Sequence, residues 1–305
     1  MEEKKFSIVM PFKSISKDSK EFLSALGKNK SINNFELIFV FSDDNLKIEE
    51  VTGVIKNFIK QDIVVLKDTQ SNSGPSRCWC LGLKAAKGRF VCFIATDLIP
   101  AENWCLSILK NINFKTDKKF WIGNIFNSYK RGEHHFLERI EMQIDERRYK
   151  ELIVDFRNFV GEKKVLVNII NDYFNGRYCT DVELDFILKN ILKLRPSTLD
   201  DLIVYNKYPQ SFIESVNRKF KHGVGDGRIS KMFVDKFRRV PTFGFYDFYL
   251  GVLILFNETK KAKLLFFDRL VLVLFNIIFL IGMLFGIIMP RYFIKKYYTF
   301  HFDEK

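Results

Sequence analysis

The chain has 305 residues, a length that fits one large domain or two small ones, and 47% of them are apolar, with 33 phenylalanines. That content provides for a sizeable core and excludes a globally disordered chain. The net charge of +13 indicates an anionic partner, and it is unevenly placed, because residues 218–239 carry eight basic and two acidic side chains. A phosphorylated ligand, a nucleic acid and an anionic lipid all fit this charge.

Short apolar runs alternate with helical patterns over the first 126 residues. We predict strands at 6–12, 35–41, 62–67 and 89–95, with helices between them at 17–29, 46–60 and 75–87. This alternation predicts a parallel sheet with helices on its faces, and such sheets bind ligands at the carboxyl ends of their strands. The polar residues at those ends are Lys13, Ser14, Asp43, Asp44, the stretch 68–74 and Asp97.

The pattern becomes mixed and more helical between about residues 127 and 210. One helix has a sharp start at Thr180 or Asp181, either of which can cap it, and carries an apolar face from Leu184 to Ile191. The five cysteines include no C-x-x-C pair, so a zinc site is not expected, and reduced thiols of a cytosolic protein are the simpler interpretation.

The C-terminal region is apolar. Residues 270–289 contain no charge and match the roughly 20 residues needed to cross a bilayer, although a buried helix of a soluble protein fits as well. Gly282 and Gly286 form a G-x-x-x-G spacing that indicates contact with another helix. The preceding apolar run, 243–256, is too short to span and suits an interfacial helix.

Five segments carry a family resemblance over about residues 5–235. They are SIVMPFKS, NSGPSRCWCLGLKAAKGRFVCFIATD, DFRNFVGEKKVL, YCTDVELDFILKN and LIVYNKYPQSFIESVNRKFKHGVGDGRI. In this order and spacing they resemble a family-2 glycosyltransferase with a GT-A-type fold. The resemblance implies an α/β fold: a Rossmann-like nucleotide-binding sheet with an acceptor subdomain, followed here by a C-terminal membrane helix. We therefore expect a nucleotide-sugar-binding half at 1–126, an acceptor half with a basic helix at 127–240, and a membrane-associated region at 241–305.

The resemblance also implies roles for single residues. Asp181 is the expected catalytic base, and Asp97 the expected ligand of Mg²⁺ or Mn²⁺, since the last acid of its motif holds the ion in this family. The residues expected at the nucleotide sugar are Pro11, Lys13, Asp43, Asp44, Arg77, Thr96 and Asp97. The residues expected on the acceptor side are Asn158, Glu183, His222 and Arg228.

Most of these residues also have a purely structural interpretation. Asp181 fits a plain helix cap, Asp97 a loop residue, and Arg77 a surface ion pair. Asp43, Asp44 and Asn158 fit turns. The basic, glycine-containing run around His222 fits a flexible contact to a diphosphate or lipid phosphate, or a solvated helix face at a membrane.

Several positions depart from the family pattern. Ala95 stands in place of an acid, Phe41 and Ser42 stand where base-binding acids are usual, and Trp79-Cys80 replaces an Arg-Asn pair. These departures support a second hypothesis, a catalytically degenerate relative that binds a saccharide, a nucleotide or a partner enzyme at the membrane.

The leading expectation is an inverting glycosyltransferase that uses one base and no carboxylate nucleophile. It would move a sugar from a nucleotide-sugar donor to a lipid-linked or surface-polysaccharide acceptor. We expect it at the cell membrane with its catalytic part on the cytoplasmic side, where nucleotide sugars occur. Nucleic acid is not an expected partner, because no recognised binding motif is present, and homo-oligomer formation stays open.

Overall fold

The computed structural model describes residues 5–12, 15–43, 46–69, 75–112, 117–127, 136–174, 180–206, 211–237, 252 and 265–288. The chain forms two compact units. The first unit comprises Met1–Phe126 and Leu152–Asn206, and the second comprises Asn127–Glu151 and Lys207–Lys305. The three-part division at residues 126 and 240 remains a prediction.

One sheet organises the first unit, with its strands in the order β3-β2-β1-β4-β7-β6-β8-β5. The strands are β1 (Phe6–Phe12), β2 (Phe35–Phe41), β3 (Ile63–Lys67), β4 (Phe90–Ile94), β5 (Leu98–Pro100), β6 (Phe120–Asn127), β7 (Asn158–Glu162) and β8 (Ser197–Asn206). β1 pairs in parallel with β2 and β4, and β2 pairs in parallel with β3. β7 is antiparallel to both β4 and β6, and β5 is antiparallel to β8.

Helices cover both faces of this sheet. They are α1 (Lys17–Gly27), α2 (Ile48–Lys56), α3 (Pro75–Ala85), α4 (Trp104–Asn111), α6 (Lys163–Phe174) and α7 (Asp181–Phe186), with a 3₁₀ turn at Ile32–Asn34 and a π-helical turn at Ile187–Ile191. Ile8, Met10 and Phe12 belong to a core that includes α1, α2 and α4. Val9 points the other way and contacts α3, as the two-residue period of a strand requires.

The predicted parallel sheet is confirmed, and the four predicted strands match to within one residue at either end. The helices begin at their predicted starts or two residues later, where local chemistry defines the start. Ser16 caps α1 by accepting a hydrogen bond from the Ser19 amide at 3.2 Å. Pro75 occupies the first position of α3, where its missing N–H costs nothing.

The second unit contains three described helices: α5 (Phe136–Lys150), α8 (Phe212–Phe237) and α9 (Phe266–Ile288). Arg139 of α5 and Asp268 of α9 form a bidentate ion pair with two N–O distances of 2.7 Å. Leu137, Ile140 and Ile144 pack with α9 in an apolar cluster. These contacts fix α9 against α5 within this unit.

The glycine-containing run of α8 corrects one prediction. The run is not flexible, because it lies inside α8, and Gly223 and Gly227 face the α9 backbone so closely that a Cβ on either would lie under 3.0 Å from a carbonyl oxygen of Phe279 or Met283. Glycine here serves close helix packing rather than mobility. Gly282 of α9 meets Phe220 in the same way, which confirms the predicted helix–helix contact at that glycine.

Helix α9 is long and apolar enough to cross a membrane, and less than half of its most apolar window is buried inside the protein. By length and composition alone, it is a weak candidate for a span. The interfacial helix predicted at 243–256 lies outside the described residues, apart from position 252.

We expect Gly82→Ala to destabilise the first unit by about 1–3 kcal/mol through overpacking, because a Cβ at Gly82 would lie under 3.0 Å from Val9. Gly53→Ala is the matched control, since Gly53 lies in α2 and a Cβ added there would meet nothing within 4 Å. It should raise the free energy of unfolding by about 0.4–1 kcal/mol. Urea unfolding of both variants tests this, and equal effects would contradict it.

Candidate active site

The carboxyl ends of the parallel strands meet at one edge of the sheet. The chain order reverses between β1 and β4, since β2 and β3 lie on the far side of β1. Reversals of this kind create a crevice in which ligands bind. The Thr96 hydroxyl donates a 2.7 Å hydrogen bond to the Pro11 carbonyl oxygen across this point, so the ends of β1 and β4 are joined where the crevice opens.

Asp97 lies in the turn between β4 and β5, and its side chain is exposed. The turn is held on both sides: Thr96 binds β1, and Leu98 pairs with Asn206 of β8. Among the described residues, Asp97 has no hydrogen-bond or ion-pair partner, and no group of three or more His, Cys, Asp or Glu side chains is arranged to hold a metal. Within the part of the chain that the structure describes, Asp97 is therefore a single carboxylate and not part of a cluster of metal ligands.

A second polar cluster lies at the ends of β2 and β3. Arg77 in the first turn of α3 donates from Nε to Asp68 at 2.7 Å, and the Asp68 side chain is fully buried. The Asp68 amide also extends the ladder by donating to the Phe41 carbonyl oxygen at 2.7 Å. Sequence reasoning placed Asp68 at this edge but assigned it no role. The terminal nitrogens of Arg77 make no hydrogen bond to the described residues.

Cys78 belongs to the same cluster. Burial and then the Asp68 carboxylate raise the pKa of its thiol to about 11, although a hydrogen bond with Ser42 and the Arg77 guanidinium act in the opposite direction. The thiol is consequently protonated at neutral pH and is a poor nucleophile. Ser42, one of the positions that depart from the family pattern, is thus part of a polar network at the end of β2.

Packing explains two further departures, Phe41 and Trp79. Phe41 and Trp79 are buried. The Trp79 ring meets Phe93 edge-on at 5.4 Å and Phe156 at 6.0 Å. At these two positions the chain has extended its core instead of presenting polar groups to a ligand.

Helix α7 presents the predicted base. Thr180 is the cap: its hydroxyl accepts from the Glu183 amide at 3.1 Å, and its own amide donates to the Glu183 carboxylate at 2.6 Å. Glu183 is buried and engaged in this capping box. Asp181 is therefore the first helical residue, half-buried, with its carboxylate not needed as the cap.

Helix α7 is tied to the same edge of the sheet as Asp97. The Asp185 carboxylate accepts from the Val154 amide at 2.9 Å and pairs with Lys189 at 3.0 Å. Val154 precedes Asn158, which pairs with Ile94 at the end of β4. Helix α7, which begins at Asp181, is thus bonded to the segment that enters β7 beside the end of β4.

Asn158 has a different environment from the one expected for an acceptor contact. Its side chain is 1% exposed. It accepts from Trp104 Nε1 at 3.0 Å and donates to the carbonyl oxygens of Asn124 at 3.0 Å and Leu202 at 2.8 Å. Its amide is fully engaged in linking β6, β7, β8 and α4, which leaves no free donor for a sugar.

The remaining predicted residues are placed as follows. Pro11 and Asp43 are half-buried at the ends of β1 and β2. Lys13 and Asp44 lie outside the described residues. His222 and Arg228 lie in α8 of the second unit, where His222 is half-buried.

Comparison with known proteins identifies the class. The family model described as glycosyl transferase family 2 matches residues 7–168, more than half of the chain. The chain therefore belongs to the family-2 glycosyltransferases, which confirms the predicted enzyme class. Comparison with curated proteins found no sequence match.

Solved structures support the fold. The mannosyltransferase PcManGT from Pyrobaculum calidifontis, in complex with GDP-Man and Mn²⁺, has a TM-score of 0.58 at 12% identity over 94% of this chain and 88% of that chain. TarS from S. aureus, residues 1–349, has a TM-score of 0.47 at 16% identity over 96% of this chain and 75% of that chain. The match to a longer TarS structure from S. aureus has a TM-score of 0.46 at 18% identity. It covers 79% of this chain but only 45% of the TarS chain, so this chain spans less than half of that protein's length. At these identities the likeness concerns the fold alone, and the likeness to PcManGT confirms the predicted GT-A-type fold.

We expect Arg77→Met to lower the free energy of unfolding of the first unit by roughly 2–4 kcal/mol, because it leaves the buried Asp68 carboxylate without its cation. The double variant Asp68→Asn/Arg77→Met should recover part of this loss. Arg89→Met removes an exposed pair with Glu162 and should cost only about 0–1 kcal/mol. Urea unfolding distinguishes them, and equal losses for Arg77→Met and Arg89→Met would show that burial of Asp68 does not matter.

Proposed function

We propose that this glycosyltransferase moves a sugar from a nucleotide-sugar donor to a lipid-linked or surface-polysaccharide acceptor, with inversion at the anomeric carbon. The observation that carries the proposal is the exposed carboxylate of Asp97 at the carboxyl ends of the parallel strands. It lies next to the point where the strand order reverses between β1 and β4. Ligands of parallel α/β sheets bind in the crevice at such a reversal, and a donor diphosphate bound there would lie within reach of this carboxylate.

The nucleotide would lie along the ends of β1, β2 and β4. Arg77 is held by Asp68 with its terminal nitrogens directed to no described partner, so it can donate to a phosphate or to the base. Asp43, Pro11 and Thr96 border the same edge, and Lys13 and Asp44 follow β1 and β2 in sequence. The likeness to PcManGT, whose structure holds GDP-Man, supports a nucleotide-sugar donor of this kind.

Asp97 fits Mg²⁺ or Mn²⁺ because it is a single exposed carboxylate with no partner among the described residues, and such ions accept one or two carboxylates together with phosphate oxygens and water. Mn²⁺ in the PcManGT structure supports this choice. When bound, the ion would supply charge for the departing diphosphate.

Asp181 would take the proton from the acceptor hydroxyl. Its helix begins with a cap supplied by Thr180 and Glu183, which holds the first turn in place, and Asp185 ties that helix to the segment leading to Asn158. A single base held in this way on the acceptor side supports direct displacement and therefore inversion. Glu183 would act by positioning Asp181, whereas acceptor contacts by His222 and Arg228 remain predictions from the resemblance.

The decisive experiment follows nucleoside diphosphate release from a panel of UDP- and GDP-sugars in membranes that contain the chain. Release that depends on added acceptor supports transfer, and the anomeric configuration of the product, read by NMR, tests inversion. The competing hypothesis is a binding module without catalysis, favoured by the burial of Phe41 and Trp79. Nucleotide binding without release from any donor would favour that alternative.

We expect Asp181→Asn to reduce the rate of transfer by about 10²–10⁴ while donor affinity stays within a few-fold, because a general base acts on the acceptor and not on donor binding. Initial rates and calorimetric titration with the donor measure the two quantities. A variant that keeps more than half of the activity would show that Asp181 is not the base.

We expect Asp97→Asn to abolish the part of nucleotide affinity that depends on Mn²⁺. Asp172→Asn is the matched control, because Asp172 is an exposed carboxylate on α6 of the same unit. Calorimetric titration of the nucleoside diphosphate with Mn²⁺, and again with chelator, measures the effect. If the wild-type protein binds equally well in both conditions, Asp97 does not hold a metal.

A further inference from the structure

Helix α9 has two different faces. One face is buried within the second unit and includes Val271, Phe275, Phe279 and Met283. The opposite face exposes large apolar side chains along the whole length of the helix: Phe266, Leu270, Leu274, Ile277, Ile281, Leu284 and Ile288. A core helix of a soluble protein would bury these residues, so an apolar medium or partner must cover this face.

The buried face of α9 packs on a highly charged helix. The Phe212 ring lies 5.8 Å from the Phe275 ring, and Gly223 and Gly227 contact the α9 backbone at Phe279 and Met283. α8 therefore runs along the central part of α9. The charged residues of α8 in this stretch are Arg218, Lys219, Lys221, Asp226 and Arg228.

The first turns of α9 also pack on a polar helix. Asp268 is fully buried in its bidentate pair with Arg139 of α5. Gln143, Asp145 and Glu146, further along α5, are buried in the same unit. Both parts of α9 are thus packed against helices that carry ionic groups.

A transmembrane position of α9 conflicts with this packing. Its 23 residues give a length of about 35 Å, enough for a hydrocarbon core of about 30 Å. If α9 crossed the bilayer, however, α8 would be drawn to mid-membrane depth together with its arginines and lysines, and charged side chains at that depth are strongly disfavoured.

We propose that α9 lies in the plane of the membrane interface, with its exposed apolar face in one leaflet of an anionic bilayer and α8 on the aqueous side. Burying one apolar face in the leaflet covers α9 without carrying the charged residues of α8 to mid-membrane depth. The basic stretch 218–239, with eight basic and two acidic residues, supplies the complementary charge for anionic headgroups. Helix α9 is then an in-plane, monotopic element rather than a membrane span.

This inference depends on the packing of the second unit and not on the proposed reaction. Its tests measure membrane binding and topology, so failure of sugar transfer would leave it intact, and failure of the membrane tests would leave the catalytic assignment intact.

The first test uses flotation of the full chain with vesicles of phosphatidylcholine, alone or mixed with phosphatidylglycerol. Ile281→Glu places a charge on the exposed face of α9, and Ile48→Glu places the same charge at an equally exposed isoleucine of α2; their exposures are 45% and 41%. We expect Ile281→Glu to weaken partitioning by about tenfold or more and Ile48→Glu to leave it unchanged. Added salt should weaken binding only to the phosphatidylglycerol vesicles.

Two results of this test would overturn the proposal. One is equal partitioning of both variants and the wild-type chain. The other is a wild-type chain that does not bind vesicles but forms a dimer, which the substitution Ile281→Glu dissociates. The apolar face would then be covered by a second copy of the chain.

The second test separates an in-plane helix from a span. Leu265→Cys and Ile288→Cys mark the two ends of α9 at positions 59% and 69% exposed. They are made in a Cys179→Ser background, because the native Cys78, Cys80, Cys92 and Cys105 are buried. A membrane-impermeant maleimide is applied to intact cells and to inverted vesicles. Labelling of the two ends in opposite preparations would establish a span and refute the proposal. Labelling of both ends in one preparation, or of neither end until detergent is added, supports the in-plane position, because both ends then lie in one leaflet.

Discussion

The parallel pairing of β1 with β2 on one side and with β4 on the other determines the layout of the first unit. Parallel strands end at the same edge of the sheet, so the pairing itself brings the turns after these strands close together. The Thr96–Pro11 hydrogen bond then joins the two strands that flank the reversal. The position of Asp97 follows from this pairing, because its turn continues from β4 and is closed by β8.

Buried and half-buried polar groups hold the surroundings of this edge together. Asn158 links three strands and α4, Asp185 links α7 to the segment before β7, and Asp68 orients Arg77. Each group is satisfied by hydrogen bonds, which is the condition for keeping it inside an apolar core. The polar groups around the edge that carries the exposed Asp97 carboxylate are therefore already hydrogen-bonded within the protein.

The first four strands could be predicted because each is a short apolar run bounded by polar residues, and the parallel order followed from the helices between them. The runs alone did not predict β5, β6, β7 and β8, since the pairing of such strands depends on partners distant in sequence. Trp79 departs from the family motif, but its role is visible only with Phe93 and Phe156 around it. From the sequence alone, Gly223 predicts a flexible segment. The close approach of α9 to the α8 backbone, which explains this glycine, is visible only in the structure. The roles of Asp97 and Asp181 rest on the resemblance, and the structure adds only their surroundings.

The position of β7 between β4 and β6 has a consequence for the growing chain. β4 and β6 are synthesised before β7, yet neither can complete its pairing until Asn158–Glu162 has been made and inserted between them. Until then the nascent sheet has an open, apolar strand edge at β4, and such edges pair readily with other chains. The first 126 residues contain the whole parallel region but not the strand that closes it. On the ribosome, the β4 edge is therefore open to misassembly from the end of β4 synthesis until β7 has been made.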